Sequence, residues 1–323
     1  MARVALAGLF CIVVVVSVVV AGCLGGGSRE PVPVDREGSL PADAVKMGPA
    51  TDPYPPVVRS AAYHAPAALP PPITTAGAED SAFIVADGSA LYFWFTPDAG
   101  IPAEKQLLDG ATGIYVSRKS DIGWSVPERI VTQETGKLAL DGCPFVLDDT
   151  LWFCSAREGY TGMNLFTSES KDGRWTTGSY TGDLLNRRYQ VGEMHVTADG
   201  RQLFFHSARS GGDGGLDIWV SHNQGGTWGE PESVDAVNTA GDEGWPFVTE
   251  DGRELWFTRT YQGSPAIFRS AMTDGRWQTP ELVVERFAAE PSLDRDGTLY
   301  FTHHFVVDGT VIEADIYSAR RAA

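Results

Sequence analysis

Residues 243–280 read EGWPFVTEDGRELWFTRTYQGSPAIFRSAMTDGRWQTP. In order, the stretch gives an acid (Glu243), a short apolar run through Pro246, an Asp251-Gly252 turn, Leu255-Trp256-Phe257, a loop, Ile267-Phe268, and Trp277 three residues before Pro280. The same order recurs. Asp87-Gly88, Leu91-Tyr92-Phe93, Ile114-Tyr115, Trp124 and Pro127 make one copy, and Asp199-Gly200, Leu203-Phe204-Phe205, Ile218-Trp219, Trp228 and Pro231 another. A looser copy has Asp148-Asp149, Leu151-Trp152-Phe153, Leu165-Phe166 and Trp175. The last has Asp296-Gly297, Leu299-Tyr300-Phe301 and Ile316-Tyr317, without the Trp-x-x-Pro. A long repeat holding several short apolar runs is the signature of propeller blades.

Each copy predicts four antiparallel strands. Asp-Gly between apolar runs marks a hairpin, because Gly accepts the positive φ of the turn. Pro cannot donate to a ladder, so the Trp-x-x-Pro segment belongs at the outer edge of its blade. The repeated Leu falls at 91, 151, 203, 255 and 299, spacings of 60, 52, 52 and 44 residues, as when insertions fall in loops. Tyr63-His64-Ala65-Pro66 supplies the outer strand that the last copy lacks. The expectation is an all-β, five-bladed β-propeller of four-stranded antiparallel blades over residues 57–323. An N-terminal strand completes the last blade and removes the open sheet edge.

The first residues are a separate object. Arg3 precedes an apolar run from Val4 to Val20, followed by Ala21-Gly22-Cys23. This is the order of a secretory signal, charge, apolar stretch, then small residues. It resembles a lipoprotein signal, cut before a lipidated Cys23, which implies a signal peptide over 1–22 and an exported, membrane-anchored protein at the cell surface or periplasmic face. An uncleaved transmembrane anchor is the alternative. Residues 23–56, rich in Pro, Gly and charge, read as the lipidated Cys and a flexible stalk. The net charge of −17 leaves nothing to neutralise phosphates and argues against nucleic acid as a partner.

Cys143 and Cys154 flank Asp148-Asp149. If those acids form the hairpin loop, the cysteines face each other at disulfide distance, and export permits oxidation. Two buried thiols packed as small hydrophobes are the alternative.

The segment Gly215-Leu216-Asp217-Ile218-Trp219, Trp228-Gly229-Glu230-Pro231, Asn238, Asp242-Glu243, Pro246, Asp251-Gly252, Leu255-Trp256-Phe257 resembles the WD40-like, or PD40, β-propeller family, which includes the propeller of TolB. The resemblance covers about four-fifths of the chain. It implies the fold and, for function, a binding or interaction platform; fold alone assigns no activity. Ser221-His222-Asn223-Gln224-Gly225-Gly226-Thr227-Trp228 resembles the Asp-box turn of sialidases, a structural turn in that family, and no sialidase arginine triad accompanies it.

Acids precede the first strand of each copy: Glu79, Asp141, Glu193, Glu243 and Glu290. Counted back from the turn, Glu193 and Glu290 lie six residues away and Glu79 and Glu243 eight, an even difference that keeps them on equivalent faces. A ring of acids at the channel mouth suits a Ca2+-type cation, a glycosidase carboxylate pair drawn from Asp141, Glu193 and Glu243, or a hydrogen bond repeated in every blade. Arg157, Arg209 and Arg259 end the second strands and either pair with these acids or recognise a carboxylate. His195, His206 and His303-His304 break the repeat. No metal, phosphate or dinucleotide motif is present. The resulting expectation is a monomeric, extracytoplasmic module that binds a protein, peptide or glycan through Glu193, His195, Arg209, Glu243, Trp245, Arg259 and His303, with no required cofactor. A five-bladed glycoside hydrolase or lyase is the alternative.

Overall fold

A computed structural model describes residues 34–322 and contains five blades around a central axis. Blade 1 is built on Ala78–Ile84, Ala90–Thr96 and Gly113–Ser120; blade 2 on Ala139–Leu147, Thr150–Arg157 and Asn164–Lys171. Blade 3 uses Met194–Val196, Gln202–Ser207 and Asp217–His222; blade 4 uses Glu243–Val248, Glu254–Tyr261 and Ser264–Thr273; blade 5 uses Ala288–Leu293, Leu299–Val307 and Thr310–Ala319. Within each blade, neighbouring strands pair antiparallel.

The Leu-aromatic-Phe triplet explains how the blades stack. Alternate side chains of a strand point to opposite faces. Leu255 and Phe257 therefore pack with Phe204 and Ile218 of blade 3, while Trp256 packs with Leu299 and Phe301 of blade 5. Every copy repeats this. Leu203 and Phe205 meet blade 2, Leu151 and Phe153 meet blade 1, and Leu91 and Phe93 meet Tyr300 and Ile316 of blade 5. Each of the five cores lies between two neighbouring blades, so no blade buries its faces alone.

The outermost strand is broken in two, in blades 1, 3 and 4 at a proline (Pro127, Pro231 and Pro280), which has no N–H to give, and in blade 2 at Thr176-Thr177-Gly178. In blade 4, Trp277 pairs with Met272, and after Pro280 the strand resumes at Glu281–Glu285. In blade 5 the N-terminal segment does this work. Tyr63 bridges Arg321, and after Pro66 residues Ala67 and Ala68 pair with Ser318 and Tyr317. Tyr63 thus takes the place of the missing Trp and meets Trp256 edge-on at 5.7 Å.

The signal over 1–22 and Cys23 lie outside the described residues. Residues 34–56, expected as part of a flexible stalk, instead lie against the propeller, because their charged side chains find buried partners. Arg36 donates to Glu79 and to the Ile73 carbonyl. Lys46 pairs with Glu313 and Asp315, and Asp52 lies 2.8 Å from His303. Val57–Val58 then adds a further strand to the edge of blade 4.

The expected disulfide is absent: Cys143 and Cys154 are not joined. A β-bulge between Gly142 and Phe145 puts Gly142, not Cys143, opposite Cys154.

Candidate active site at the centre of the ring

The recurring acids fall into two classes, not one. Glu79, Asp141 and Glu243 stand across the ladder from Phe95, Ser155 and Arg259, each four residues after the repeated Leu. All three are buried and clasped by a threonine and an arginine. Thr239 donates through N–H and hydroxyl to Glu243, and Arg259 closes the clasp at 2.8 Å. Thr132, through its hydroxyl alone, and Arg157 hold Asp141, and Thr75, through N–H and hydroxyl, with the N-terminal Arg36 holds Glu79. The guanidiniums of Arg157 and Arg259 also stack over Phe166 and Phe268. These acids join the inner strand to the loop before it. Asp141, Glu243 and Arg259, expected in the binding or catalytic set, are engaged in these clasps and do not line the central cavity.

Glu193 and Glu290 sit two positions further on. The inner strands of blades 1, 2, 4 and 5 each carry a bulge there, and the first bulged residue has positive φ: Ser81 51°, Cys143 54°, Trp245 53° and Glu290 58°. Three bulges continue with proline, Pro144, Pro246 and Pro291. Proline is tolerated at bulges, where the ladder is already interrupted. A bulge re-aims its side chain, here toward the axis. Ser81, Cys143, Trp245 and Glu290, together with Glu193 of blade 3, line a central cavity of ≈ 50 Å³. A water needs about 10–15 Å³ on this measure, so the cavity holds a few waters.

Three carboxyl groups meet at this level with opposite acidities. Burial pushes Glu193 up to about 8, the nearby Asp80 charge adds to the rise, and hydrogen bonds from Trp245 and Cys143 offset part of it. Trp245 Nε1–H donates to Glu193 Oε1 at 2.8 Å. Glu290 is also raised well above the ordinary value, first by burial and then by Asp80 and Glu193. Its Oε2 accepts from the Ser81 amide at 2.6 Å and from Thr302 at 3.0 Å. Asp80 goes the other way: burial opposes ionisation, but His304, 3.4 Å away, and hydrogen bonds from Glu290 and Ser81 hold it at about 2. The centre thus sets two carboxyls pushed toward the protonated form, Glu193 and Glu290, beside an Asp80 held toward the ionised one, the divergence that acid–base sites display. Among the described residues, no group of three or more His, Cys, Asp or Glu forms a metal-holding cluster.

Below the carboxyl level the channel is plugged. Phe83, Phe145, His195 and Phe247 occupy equivalent inner-strand positions, and successive ring centroids are 5.0, 4.7 and 4.7 Å apart. His195 is part of this plug, and burial lowers it to about 3, so it stays neutral. Arg209 lies over the Trp219 ring and pairs with Glu230, 3.3 Å away in the segment before the outer strand Glu232–Ser233. His303 is buried against Asp52, Phe305 and Tyr317. Of the expected binding residues, Glu193, His195 and Trp245 line the central cavity.

Sequence reasoning passed over Asp80 and gave His304 and Cys143 no part in the centre. Counting back from the Asp-Gly turn separates the acids at six residues from those at eight, but the even difference makes them look like one equivalent position. Aligning the inner strands on Phe83, Phe145, His195 and Phe247 puts Glu193 level with Trp245 and Glu290, and Glu243 level with Asp141 and Glu79.

No protein-family model matches the sequence, and no curated protein matches it. Among solved structures, the chain is similar to an endo-arabinase from Bacteroides thetaiotaomicron VPI-5482, with 15% identity over 80% of this chain and 98% of that one, at a TM-score of 0.51. A xylan β-1,4-xylosidase from Bacillus halodurans C-125 aligns at 13% identity over 79% of this chain and 54% of its own, TM-score 0.46. TolB from Acinetobacter baumannii aligns at 14% identity over 74% and 67%, TM-score 0.37. At these identities the likeness is one of fold.

Proposed function

We propose that the protein acts on a glycan at the centre of its propeller, hydrolysing a glycosidic bond with Glu193 as the acid. One observation carries the reading: Glu193, its pKa raised by burial and by the charge of Asp80 buried behind the cavity wall, lines a small central cavity beside a partly exposed indole, Trp245. A sugar ring stacks on the Trp245 face, lying across the mouth with the waters beneath it. Glu193 gives its proton to the glycosidic oxygen as the C–O bond breaks. The Asp80 charge stabilises the positive charge that develops at the anomeric carbon. Water adds there, and its proton passes to the Asp80–Glu290 carboxyl pair and back to Glu193. The fold neighbour named an endo-arabinase makes an arabinose polymer the first substrate class to test.

A binding platform without turnover is the second reading. It is favoured by the satisfaction of Glu193 and Glu290 within the protein and by the aromatic plug beneath them. Release of reducing ends from a panel of polysaccharides by the full chain in detergent micelles, and its loss in Glu193→Gln, decides between them. Binding with no release on any member of the panel selects the platform.

In either case the site belongs outside the cytoplasm if Cys23 is the lipidated residue. Cys23→Ala is expected to free the protein from the membrane fraction or block its maturation. Unchanged retention and size select a transmembrane anchor.

A further inference from the structure

The acid and the indole of the proposed site sit on different blades, and one buried side chain faces both. His206, in the second strand of blade 3, has Nε2 3.3 Å from the Glu193 amide nitrogen and Nδ1 3.2 Å from the Trp245 amide nitrogen. Its ring meets the Trp245 indole edge-on at 5.1 Å. Glycine on each side makes room for it: a Cβ on Gly192 would lie 2.3 Å from Nε2, and a Cβ on Gly244 3.0 Å from Nδ1. The same strand position in blade 4 is Thr258, which performs a one-sided version by accepting the Glu290 amide at 2.9 Å. Burial lowers His206 to about 4, so the imidazole is neutral near pH 7.

A neutral imidazole has one N–H and one nitrogen lone pair, so it accepts from one of the two amides at a time. We infer that His206 is a positioning residue whose tautomer sets Glu193 and Trp245 relative to each other. A lone pair on Nε2 holds the backbone of the acid; a lone pair on Nδ1 holds the backbone of the indole. The assignment of acid and platform rests on the hydrolase reading above. The physical coupling does not.

Two substitutions separate the two halves. Asn places a polar atom near the Nδ1 position and Gln near Nε2. The full chain, labelled with nitrogen-15 tryptophan and carbon-13 glutamate, is observed in detergent micelles by NMR, with Trp245→Phe and Glu193→Gln used to assign the Trp245 amide and Glu193 carboxyl resonances. His206→Asn is expected to leave the Trp245 amide in place and shift the Glu193 titration. His206→Gln is expected to do the reverse. On a hydrolysed glycan, His206→Asn lowers kcat with KM unchanged, by up to about 100-fold, the loss a 1 Å misplacement can cause; His206→Gln mainly raises KM. Both variants moving both resonances alike, or neither moving either, overturns the proposal. If neither variant folds, the imidazole nitrogen shifts of the unaltered protein decide: exchange between tautomers supports the coupling, and one fixed tautomer overturns it. Split resonances without any glycan hydrolysis sink the hydrolase reading and leave the positioning role standing.

Discussion

Trp245 donates its indole N–H to Glu193 Oε1 across 2.8 Å, a hydrogen bond that ties blade 4 to blade 3 at the axis. That bond favours the ionised form of Glu193, while burial and Asp80 favour the protonated one. Removing it with Trp245→Phe is expected to push the Glu193 pKa higher still. Carbon-13 NMR of the labelled carboxyl tests the direction; a downward shift contradicts the assignment.

Glu193→Gln keeps an acceptor for the Trp245 indole but has no carboxyl proton to give. A lost general acid costs typically about 10²–10⁴-fold in rate. The variant is therefore expected to retain the fold by circular dichroism and to lose most hydrolysis of any glycan the native protein cleaves. Full activity in this variant removes Glu193 from the mechanism.

Glu193 also leaves a mark on stability. Its pKa rises from the ordinary 4.5 to about 8 on folding, so between those values the folded state binds more protons than the unfolded one. The stabilisation is complete below about pH 4.5 and is lost as pH rises through about 8; Glu290 acts with the same sign. Thermal melts are expected to show Tm falling from pH 5 to pH 8, with a shallower fall in Glu193→Gln. Equal slopes in the two proteins would refute the shift.

Arg259 and Glu243 form a buried clasp. Glu243 is fully buried, and removing its guanidinium leaves an uncompensated charge, so Arg259→Ala is expected to cost about 3–5 kcal/mol in denaturant unfolding. Arg295 and Glu250 form an exposed pair at 2.8 Å, where Arg295→Ala is expected to cost about 0–1 kcal/mol. Equal costs at the two sites would mean that Glu243 is hydrated in solution.

Cys143 lies in the bulge and Cys154 faces Gly142. Both are expected to alkylate after denaturation without reductant, read by mass spectrometry of the non-reduced protein. A mass two protons lighter, resistant to alkylation, would show that the bulge yields to a disulfide.

The fold was legible in the chain because its signals are local and repeated. Asp-Gly turns, the Leu-aromatic-Phe triplet and Trp-x-x-Pro each act over a few residues, and five copies reinforce one another. Even the ring closure was readable, since Tyr63-x-x-Pro66 is a displaced copy of a local motif. The centre was not legible in the same way. The bulges at Ser81, Cys143, Trp245 and Glu290 shift the inner-strand register, which moved Cys143 off Cys154 and split the acids into two classes. Arg36 and Lys46 reach Glu79, Glu313 and Asp315 from a segment whose composition reads as a tether. Which carboxyl keeps its proton depends on burial and on neighbours from other blades: Glu193 beside Trp245, Asp80 beside His304. Sequence alone determined the repeated hydrophobic pattern and hence the propeller. Tertiary structure decided the charge state of its centre, because electrostatic interactions there join residues dozens to hundreds of positions apart, as the 52 residues between Glu193 and Trp245 and the 224 between Asp80 and His304 show.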